Sequence, residues 1–341
     1  MLVVAELLPQ LFDLRGNRRL GHRCIIPFAL LRPLTPVAPT PRFRNAALIY
    51  NPAAGRGRPE ASGRRERQLD RAARLLDAYG IRVTRIPTIG PGSATQLART
   101  EVAAGRDLLI ACGGDGTINE VVNGMAGSAV PLAILPAGTG NVLATHLGLP
   151  WDIWRAAEYI PRGVVRRVAL GQVGQRYFVS LAGAGADGHL FYRLNQLPAG
   201  DLKYARYFWE GYRQLWLYDF PWFEVRVDDE VIPATQLVVS RVKHYAFPIA
   251  PAADIFRDDL EVCVISARSR FRYFLYSFAV FADKLDAFPE VRRFPARRLQ
   301  ATPREGRVRV ETDAESAGEL PMEFRVVPEA LSLLVPEKRI H

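Results

Sequence analysis

The chain has 341 residues, 49% of them hydrophobic, and a formal net charge of +10. This length suits one large or two moderate domains, and two is the better prediction. Charges or prolines interrupt every apolar run before the roughly 18 to 20 residues that a membrane-spanning helix needs. The cysteines Cys24, Cys112 and Cys263 lie far apart, so neither a disulfide framework nor a zinc site is indicated, and a reducing cytoplasm fits best.

The excess of positive charge favours an anionic partner such as a nucleotide, a nucleic acid or an acidic membrane surface. Half of it lies in residues 1–44, a Pro- and Arg-rich extension with seven arginines and only two acidic residues. Its apolar patches could lie on a membrane surface, and an irregular leader fits equally well. Nucleic-acid binding ranks low because no recognition motif accompanies the arginines.

From residue 45 the pattern alternates between strands and helices, which predicts a parallel sheet wrapped by helices. The predicted strands are Ala46–Tyr50, Arg82–Ile86, 108–112 and Pro131–Leu135. The predicted helices are a stretch around Leu69 and Leu76 that ends at Gly80, Ala94–Ala104 with Ser93 as its cap, one from Ile118, and one after Asn141.

The third strand runs directly into Gly113-Gly114-Asp115-Gly116-Thr117, a glycine turn that precedes a helix. Such a turn aims backbone N–H groups and a helix dipole at an anion, and Asp115 could hold a phosphate-bound metal or its waters. A tight connection without a ligand is the alternative. Ligands of parallel sheets gather at the carboxyl ends of the strands, where Asn51–Gly55, Thr88 and Gly138–Asn141 are also expected.

From about residue 166 short alternating runs predict antiparallel strands. They are Val168–Val173, Tyr177–Leu181, Phe223–Val227, Gln236–Val242, Leu260–Ile265, Arg307–Thr312 and Met322–Val327. Two aromatic stretches, Tyr204–Tyr218 and Phe271–Phe281, interrupt this β-rich half and are expected to pack a core or to form a lipid-contacting surface.

Five motifs together resemble the diacylglycerol kinase catalytic family, which includes soluble bacterial lipid kinases and, more distantly, sphingosine and ceramide kinases. They are Asn51–Gly55, GGDGTINEVVNG at 113–124, ILPAGTGN at 134–141, GDLKYA at 200–205 and Asp313-Ala314-Glu315. The resemblance implies an α/β fold with two domains: a nucleotide-binding domain at 45–165 with a mainly parallel sheet, and a β-rich, sandwich-like lipid-substrate domain at 166–336. The active site would lie in the cleft between them.

The resemblance implies ATP and Mg²⁺ as cofactors and assigns residues to each. The nucleotide contacts would be Asn51, Pro52, Ala53, Ala54, Gly55, Thr88, Gly113, Gly114, Asp115, Gly116, Thr117, Ile118, Asn119, Gly138, Thr139 and Asn141. Asp115 would serve the metal and phosphates, and Glu315, with Asp313 beside it, would take the proton from the lipid hydroxyl. Gly185 and Asp187 look like the turn that opens the second domain.

A further metal site in the resembled family uses a loop before a strand of the second domain. Here the ligands would be Asp258 and the backbone carbonyls of Ile255 and Leu260, which are hard oxygen donors that suit Mg²⁺. The chain departs from the family pattern at Ala54, Val142, Asp259 and Ala314, and the last matters if that turn needs a positive φ.

The predicted function is an ATP-dependent kinase of a membrane lipid such as diacylglycerol, cytoplasmic and in peripheral contact with an anionic membrane. A small-molecule kinase of the NAD-kinase type and a non-catalytic nucleotide or lipid sensor are the alternatives. The acyl preference stays open. The oligomeric state is open too, with a homodimer as one option.

Overall fold

The structure is a computed structural model that describes residues 42–54, 60–196, 209, 211–213, 216–243 and 249–337. Most of the predicted extension at 1–44, together with Gly55, the GDLKYA motif at 200–205 and much of the first aromatic stretch, lies outside these residues. Within them, no helix is both long enough and apolar enough to span a membrane.

The first lobe alternates strands and helices as the sequence predicts. Its elements are β1 (Asn45–Tyr50), α1 (Glu60–Ala78), β2 (Arg82–Pro87), α2 (Ser93–Ala103), β3 (Leu108–Gly113), α3 (Asp115–Met125), β4 (Leu132–Pro136), α4 (Val142–His146) and α5 (Ile153–Ala156). The helix after the glycine turn begins at Asp115 rather than at Ile118, so the acidic residue lies in the first helical turn.

The four strands pair in parallel in the order β2-β1-β3-β4, and every residue of β3 is buried. One face packs on α1 and α5 through residues such as Leu48, Leu69 and Ile153. The other face packs on α2, α3 and α4 through residues such as Ile134 and Val121. Burial on both faces explains the continuous apolar character of β1, β3 and β4.

The expected cap of α2 is wrong, because Gly92 is the N-cap and Ser93 is the first helical residue. The Ser93 hydroxyl instead accepts the N–H groups of Ile89 and Gly90 in the preceding turn, at 3.2 and 3.3 Å. The carboxylate of Glu120 on α3 accepts the N–H groups of Gly92 and Ala94 at 2.7 and 2.9 Å. A neighbouring helix therefore supplies the anionic group at this positive helix end.

The second lobe is rich in strands, as predicted. Its strands are β5 (Val164–Val173), β6 (Arg176–Phe178), β7 (Leu181–Ala184), β8 (Phe223–Val227), β9 (Glu230–Ala234), β10 (Gln236–Ser240), β11 (Leu260–Ile265), β12 (Val291–Ala296), β13 (Arg298–Pro303), β14 (Arg309–Thr312), β15 (Glu315–Glu319) and β16 (Met322–Val335). Its two longer helices are α6 (Ala186–Asn195) and α7 (Arg270–Phe281). The expected single strand Tyr177–Leu181 is wrong, since β6 and β7 divide it.

Two sheets face each other in this lobe. The order β12-β11-β10-β7-β14-β15 forms one antiparallel sheet, and β8, β9, β13 and part of β16 belong to the other. Apolar residues from both sheets, including Phe178, Phe223, Val262 and Phe324, form the core between them. Helix α7 packs on the outer side of the antiparallel sheet through Tyr273 and Val280.

Strand β16 connects the lobes because it takes part in pairing on both sides. Its first half pairs with β13 and β5, and its second half pairs with β5 and meets β4 at Leu333. The parallel sheet of the first lobe thus continues into the second lobe as one 10-stranded sheet. This shared sheet joins the two lobes, and the β14–β15 hairpin belongs to the other sheet.

Candidate active site

The glycine turn after β3 and the loop after β4 touch through their backbones. The N–H of Ala137 donates to the carbonyl of Gly113 at 2.9 Å. A Cβ atom added to Gly138 would lie 2.4 Å from the Cα of Gly114, a distance that no side chain can occupy. The two glycines therefore allow both loops to meet at the N-terminus of α3, where N–H groups without an intrahelical partner favour an anion.

Asp115 joins these two loops. Its Oδ1 accepts the N–H of Val142, the first residue of α4, at 2.7 Å. A Cβ atom on Gly140 would come within 2.7 Å of its Oδ2, so the loop has to pass close to the carboxylate. Burial raises the pKa of Asp115 above its usual value, and the surrounding backbone N–H groups partly offset this rise.

The remaining loops lie at the same edge of the sheet, as the sequence predicts. Asn51 donates its N–H to the carbonyl of Cys112 at 3.1 Å, and its side-chain oxygen accepts the N–H of Ala53 at 2.8 Å. The N–H of Thr88 donates to the carbonyl of Tyr50 at 2.8 Å. Pro52, Ala53, Ala54, Gly114 and Gly116 also lie in these turns and are at least partly accessible.

The loop after β4 is held by the side chain of Asn141. Its Oδ1 accepts the N–H of Gly138 at 2.8 Å, and its Nδ2 donates to the carbonyl of the same residue at 3.0 Å. Asn141 has a φ of 49° and is buried, whereas Thr139 and Gly140 are exposed at the tip. Asn141 therefore supports the loop from within, and the tip of the loop is exposed.

Three of the predicted nucleotide residues direct their side chains into the protein. Ile118 is part of the hydrophobic core, and Thr117 is buried against the Gly113 backbone. Asn119 is fully buried and donates through Nδ2 to the carbonyl of Tyr177 at 3.1 Å and to the carboxylate of Asp313. A nucleotide contact at Asn119 would therefore have to involve its backbone.

Asp313 is a buried residue at the tip of the β14–β15 hairpin. Its carboxylate accepts the N–H groups of Val179, Ser180 and Leu181 at 2.8 to 2.9 Å in addition to Asn119. Burial raises the pKa of Asp313 to about 6, although these hydrogen bonds favour the ionised form. With so many donors around it, this side chain positions the hairpin against α3 and β6.

Asp313 and Ala314 form the two-residue connection of the hairpin, with φ angles of 48° and 71°. Positive φ at both central residues is typical of the turns that match the twist of a hairpin, and glycine is usually favoured there. The turn therefore does need a positive φ at Ala314, the condition under which this departure from the family pattern matters. Its N–H donates to the side chain of Glu311 at 2.9 Å, and the residue packs against Leu190 and Leu194 of α6.

Glu315 follows this turn and approaches the glycine turn of the first lobe. A Cβ atom on Gly116, the residue after Asp115, would lie 3.0 Å from Oε1 of Glu315. The other oxygen, Oε2, accepts a charge-assisted hydrogen bond from the guanidinium of Arg176 on β6. Burial raises the pKa of Glu315 above its ordinary value, and Arg176 opposes the shift.

A cleft of about 740 Å³ opens in front of Glu315. It is lined by Pro91, Gly92, Thr95, Arg99, Asn119, Glu120, Asn123, Arg176, Glu315 and Ser316. Asp115 is not among the residues that line this cleft, and its carboxylate accepts a hydrogen bond from Val142 of α4. Sequence reasoning missed Arg176, Arg99 and Asn123 in this cleft. Only Asn123 left a signal, since it lies one helical turn after Asn119 on α3.

Gly185 and Asp187 lie at the start of α6, next to the hairpin. Gly185 has a φ of 108° and is the N-cap of α6. The turn follows β5, β6 and β7, so it lies within this lobe and does not open it. A Cβ atom on Gly183 would contact Asp187 Oδ2 at 3.0 Å and Glu311 Oε1 at 3.2 Å, so these two acidic side chains share one space. Burial raises the pKa of Asp187 to about 6, and burial together with the charge of Asp187 raises that of Glu311.

The loop predicted to bind a second metal precedes β11, and its residues 254–260 are not among those that line the cleft. The side chain of Asp258 is exposed, and the carbonyl of Ile255 accepts a hydrogen bond at 2.7 Å from the guanidinium of Arg241. The side chain of Asp259 pairs with Arg257. In the part of the chain that the structure describes, no three His, Cys, Asp or Glu side chains are grouped to hold a metal ion.

Comparison with known families agrees with this arrangement of lobes. Residues 45–173 match the model of the diacylglycerol kinase catalytic domain, and residues 180–335 match that of the YegS C-terminal NAD kinase beta sandwich-like domain. Residues 45–173 are therefore similar to the diacylglycerol kinase catalytic domain. The two matches confirm the resemblance drawn from the motifs, and the α/β fold with a separate antiparallel β-rich sheet agrees with it.

Curated relatives carry the same family name. A diacylglycerol kinase of Bacillus subtilis strain 168 is 35% identical over 176 residues, which are 51% of this chain and 56% of that protein. One from Staphylococcus saprophyticus is 32% identical over 197 residues, 57% of this chain and 63% of that protein. The chain thus matches these relatives over less than two-thirds of their lengths.

A solved structure shares the fold across almost its entire length. The crystal structure of a diacylglycerol kinase from Bacillus anthracis str. Sterne has a TM-score of 0.66 and covers 88% of this chain and 99% of its own. Its sequence identity is 22%, so the likeness concerns the fold alone.

Proposed function

We propose that the protein is an ATP-dependent lipid kinase that transfers the γ-phosphate of ATP to a hydroxyl group of a membrane lipid, with diacylglycerol as the leading acceptor. One observation carries this proposal. Oε1 of Glu315 lies where a Cβ atom on Gly116 would meet it at 3.0 Å, so a carboxylate from the second lobe faces the glycine turn of the first.

In the proposed reaction, Glu315 accepts the proton of the lipid hydroxyl while the hydroxyl oxygen forms a bond to the γ-phosphorus. The bond between that phosphorus and the bridging oxygen of ADP breaks, so the products are a lipid phosphate and ADP. The raised pKa of Glu315 suits a general base that works near neutral pH. Asp313 is the residue that positions the hairpin for this contact.

The loops at the carboxyl edge are the proposed site of the ATP phosphates. The close approach of Gly114 and Gly138 and the N-terminus of α3 provide a cradle that suits an anion. Asp115 is the proposed acidic group for Mg²⁺, and one buried carboxylate beside a phosphate site fits a metal held mainly by phosphates and water. Bound Mg²⁺ would spread the charge of the transferred phosphoryl group.

An apolar cavity in the second lobe supports a lipid acceptor over a soluble one. The cavity has a volume of about 470 Å³ and lies between α6, α7 and helical residues near 212. Aromatic and aliphatic side chains such as Leu190, Tyr273 and Phe278 line it, and Asp187 and Gln236 are among its few polar groups. An acyl chain suits such a lining, whereas a nicotinamide dinucleotide does not.

The outer face of α7 supports contact with a membrane. Phe271, Phe278 and Phe281 are 63%, 62% and 58% exposed, and the same helix carries no acidic residue. Phe278 and Phe281 also line the apolar cavity, so this face and the cavity are continuous. Together with the net charge of +10, the exposed aromatic face suits peripheral binding at the cytoplasmic surface of an anionic membrane.

The direct test incubates the purified full chain with radiolabelled ATP, Mg²⁺ and total membrane lipids and identifies labelled lipids by mass spectrometry. We expect label in a diacylglycerol-derived lipid and none with Asp115→Ala. Label in NAD without label in lipid would overturn the proposal in favour of a small-molecule kinase. ATP binding without transfer to any acceptor would overturn it in favour of a sensor.

A further inference from the structure

Arg241 is a fully buried arginine that follows β10. Its Nη2 donates to the carbonyls of Ile255 at 2.7 Å and Ala169 at 3.2 Å, and its Nη1 donates to the carbonyl of Asp259. One guanidinium thus ties the loop 254–260 to β5. The backbone N–H of Arg241 also donates to the carbonyl of Ser180 at 2.8 Å, which anchors the base of the side chain.

These carbonyls surround the guanidinium of Arg241, which is a cation that the chain itself provides. Ile255 provides one of the two backbone carbonyls that the family resemblance assigns to Mg²⁺, and here the guanidinium occupies that acceptor. Carbonyl oxygens that point at one centre suit either a hard metal ion or a planar guanidinium. A divalent ion among the same oxygens would lie beside a buried positive charge and be repelled by it.

The charges around the loop match an internal cation. Burial lowers the pKa of Arg241 to about 10, and the nearby Asp259, Asp258 and Asp254 act in the opposite direction. The group therefore stays positive at neutral pH. Asp259 pairs with Arg257, so a protein cation already balances one of the loop carboxylates, and Nε2 of His146 lies 3.9 Å from a carboxylate oxygen of Asp254.

We propose that the guanidinium of Arg241 takes the place of the divalent cation in the loop 254–260, so that this loop is closed without any metal. The need for Mg²⁺ would then be confined to the ATP site. The inference concerns the second lobe only and does not depend on which acceptor the protein phosphorylates.

The first experiment measures Mn²⁺ binding by paramagnetic resonance on the full chain without nucleotide, for the wild type and Asp258→Asn. Asp258 is exposed, so we expect this variant to keep the fold. We expect wild type and Asp258→Asn to bind the same number of Mn²⁺ ions. We also expect the unfolding temperature of each protein to be the same in chelator as in Mg²⁺. One additional ion in the wild type, lost in Asp258→Asn, would overturn the inference.

The second experiment removes the internal cation. Arg241→Met leaves buried carbonyls without donors, so we expect the unfolding temperature to fall by roughly 5 °C in chelator and in Mg²⁺ alike. Arg257→Met, on the surface of the same loop, is the control and should change the unfolding temperature little. An Arg241→Met protein as stable as the wild type would contradict the inference, and if this variant fails to fold, the Mn²⁺ measurement still decides.

Discussion

The ion pair between Arg176 and Glu315 predicts how the activity depends on pH. Removal of the positive charge in Arg176→Met should raise the pKa of Glu315 further, because burial would then act without its main opponent. As the proposed base, Glu315 has to be deprotonated to act, so the acidic limb of the kcat profile should move to higher pH by about 1 unit.

The conservative variant separates the charge of Arg176 from its packing. Arg176→Lys keeps a cation on β6 and should return the acidic limb close to the wild-type position. A pH profile of Arg176→Met that overlays the wild type would show that this pair does not tune the base.

The buried acid Asp187 predicts a dependence of stability on pH. Its pKa of about 6 in the folded chain exceeds that of an unfolded aspartate, so the folded state binds the proton more tightly. Stability from this group is therefore greatest at low pH and is lost as the pH rises from about 4 through 6. Asp187→Asn should raise the free energy of unfolding at pH 8 by about 3 kcal/mol and change little at pH 4.

Chemical denaturation at both pH values checks this expectation, with Asp229→Asn on the surface as the control. If Asp187→Asn raised the free energy of unfolding equally at pH 4 and pH 8, the result would argue against a buried charged form of Asp187. The adjacent Glu311 strengthens the expected effect, since the two carboxylates share the space beside Gly183.

At the scale of elements, the contact between the glycine turn and the loop after β4 sets the shape of the proposed phosphate site. Gly138→Ala would place a Cβ atom 2.4 Å from the Cα of Gly114, so the loops would have to move apart. We expect the dissociation constant of ATP to rise about tenfold and stability to fall by 1 to 3 kcal/mol, roughly the cost of overpacking.

Calorimetric titration with ATP checks this prediction. Gly90→Ala is the matched control, because a Cβ atom there would have no atom within 4 Å. Equal ATP affinity in both variants would show that the close approach of the two loops does not shape the nucleotide site.

The elements of the first lobe were predictable because local signals and burial agree there. β1, β3 and β4 are buried on both faces, and Gly80 ends α1 with a φ of 77°. In the second lobe, β9, β12, β13 and β15 were missed, since short strands with arginine, proline and glycine leave little alternation. The strand β16 also continues past the predicted Val327, across an irregularity in its pairing before Leu331.

The part of the candidate site that belongs to local sequence motifs was predictable. The glycine turn and Glu315 are both contained in such motifs, and the structure brings them together. The contacts of Arg176 with Glu315 and of Arg241 with Ile255 join residues 139 and 14 positions apart. These contacts depend on how the strands of the second lobe are arranged, so no local sequence pattern predicts them.

At the scale of the whole molecule, the exposed face of α7 predicts how the protein reaches its proposed substrate. The double substitution Phe271→Ser and Phe278→Ser removes two aromatic side chains that are more than 60% exposed. Because membrane burial of an aromatic side chain contributes about 1.5 to 3 kcal/mol, binding to anionic vesicles should weaken at least about tenfold.

Vesicle sedimentation with phosphatidylglycerol checks this prediction. Ile89→Ser, at an apolar residue of the first lobe that is 94% exposed, is the control and should bind vesicles like the wild type. Activity on a short-chain lipid in solution should be unaffected in Ile89→Ser. The double variant is compared by vesicle binding alone, because Phe278 also lines the apolar cavity. An unchanged vesicle affinity of the double variant would place the membrane contact elsewhere.

The β14–β15 hairpin contacts α3 through Asp313 and approaches Gly116 through Glu315. These contacts lead to one central claim, that Glu315 is the base opposite the ATP phosphates. The most direct measurement compares lipid phosphorylation and ATP binding in Glu315→Gln, with Glu319→Gln on the same strand as the control. Loss of the base should lower kcat by about 10² to 10⁴-fold while ATP affinity stays unchanged. A Glu315→Gln protein that phosphorylates lipid at the wild-type rate would contradict the claim.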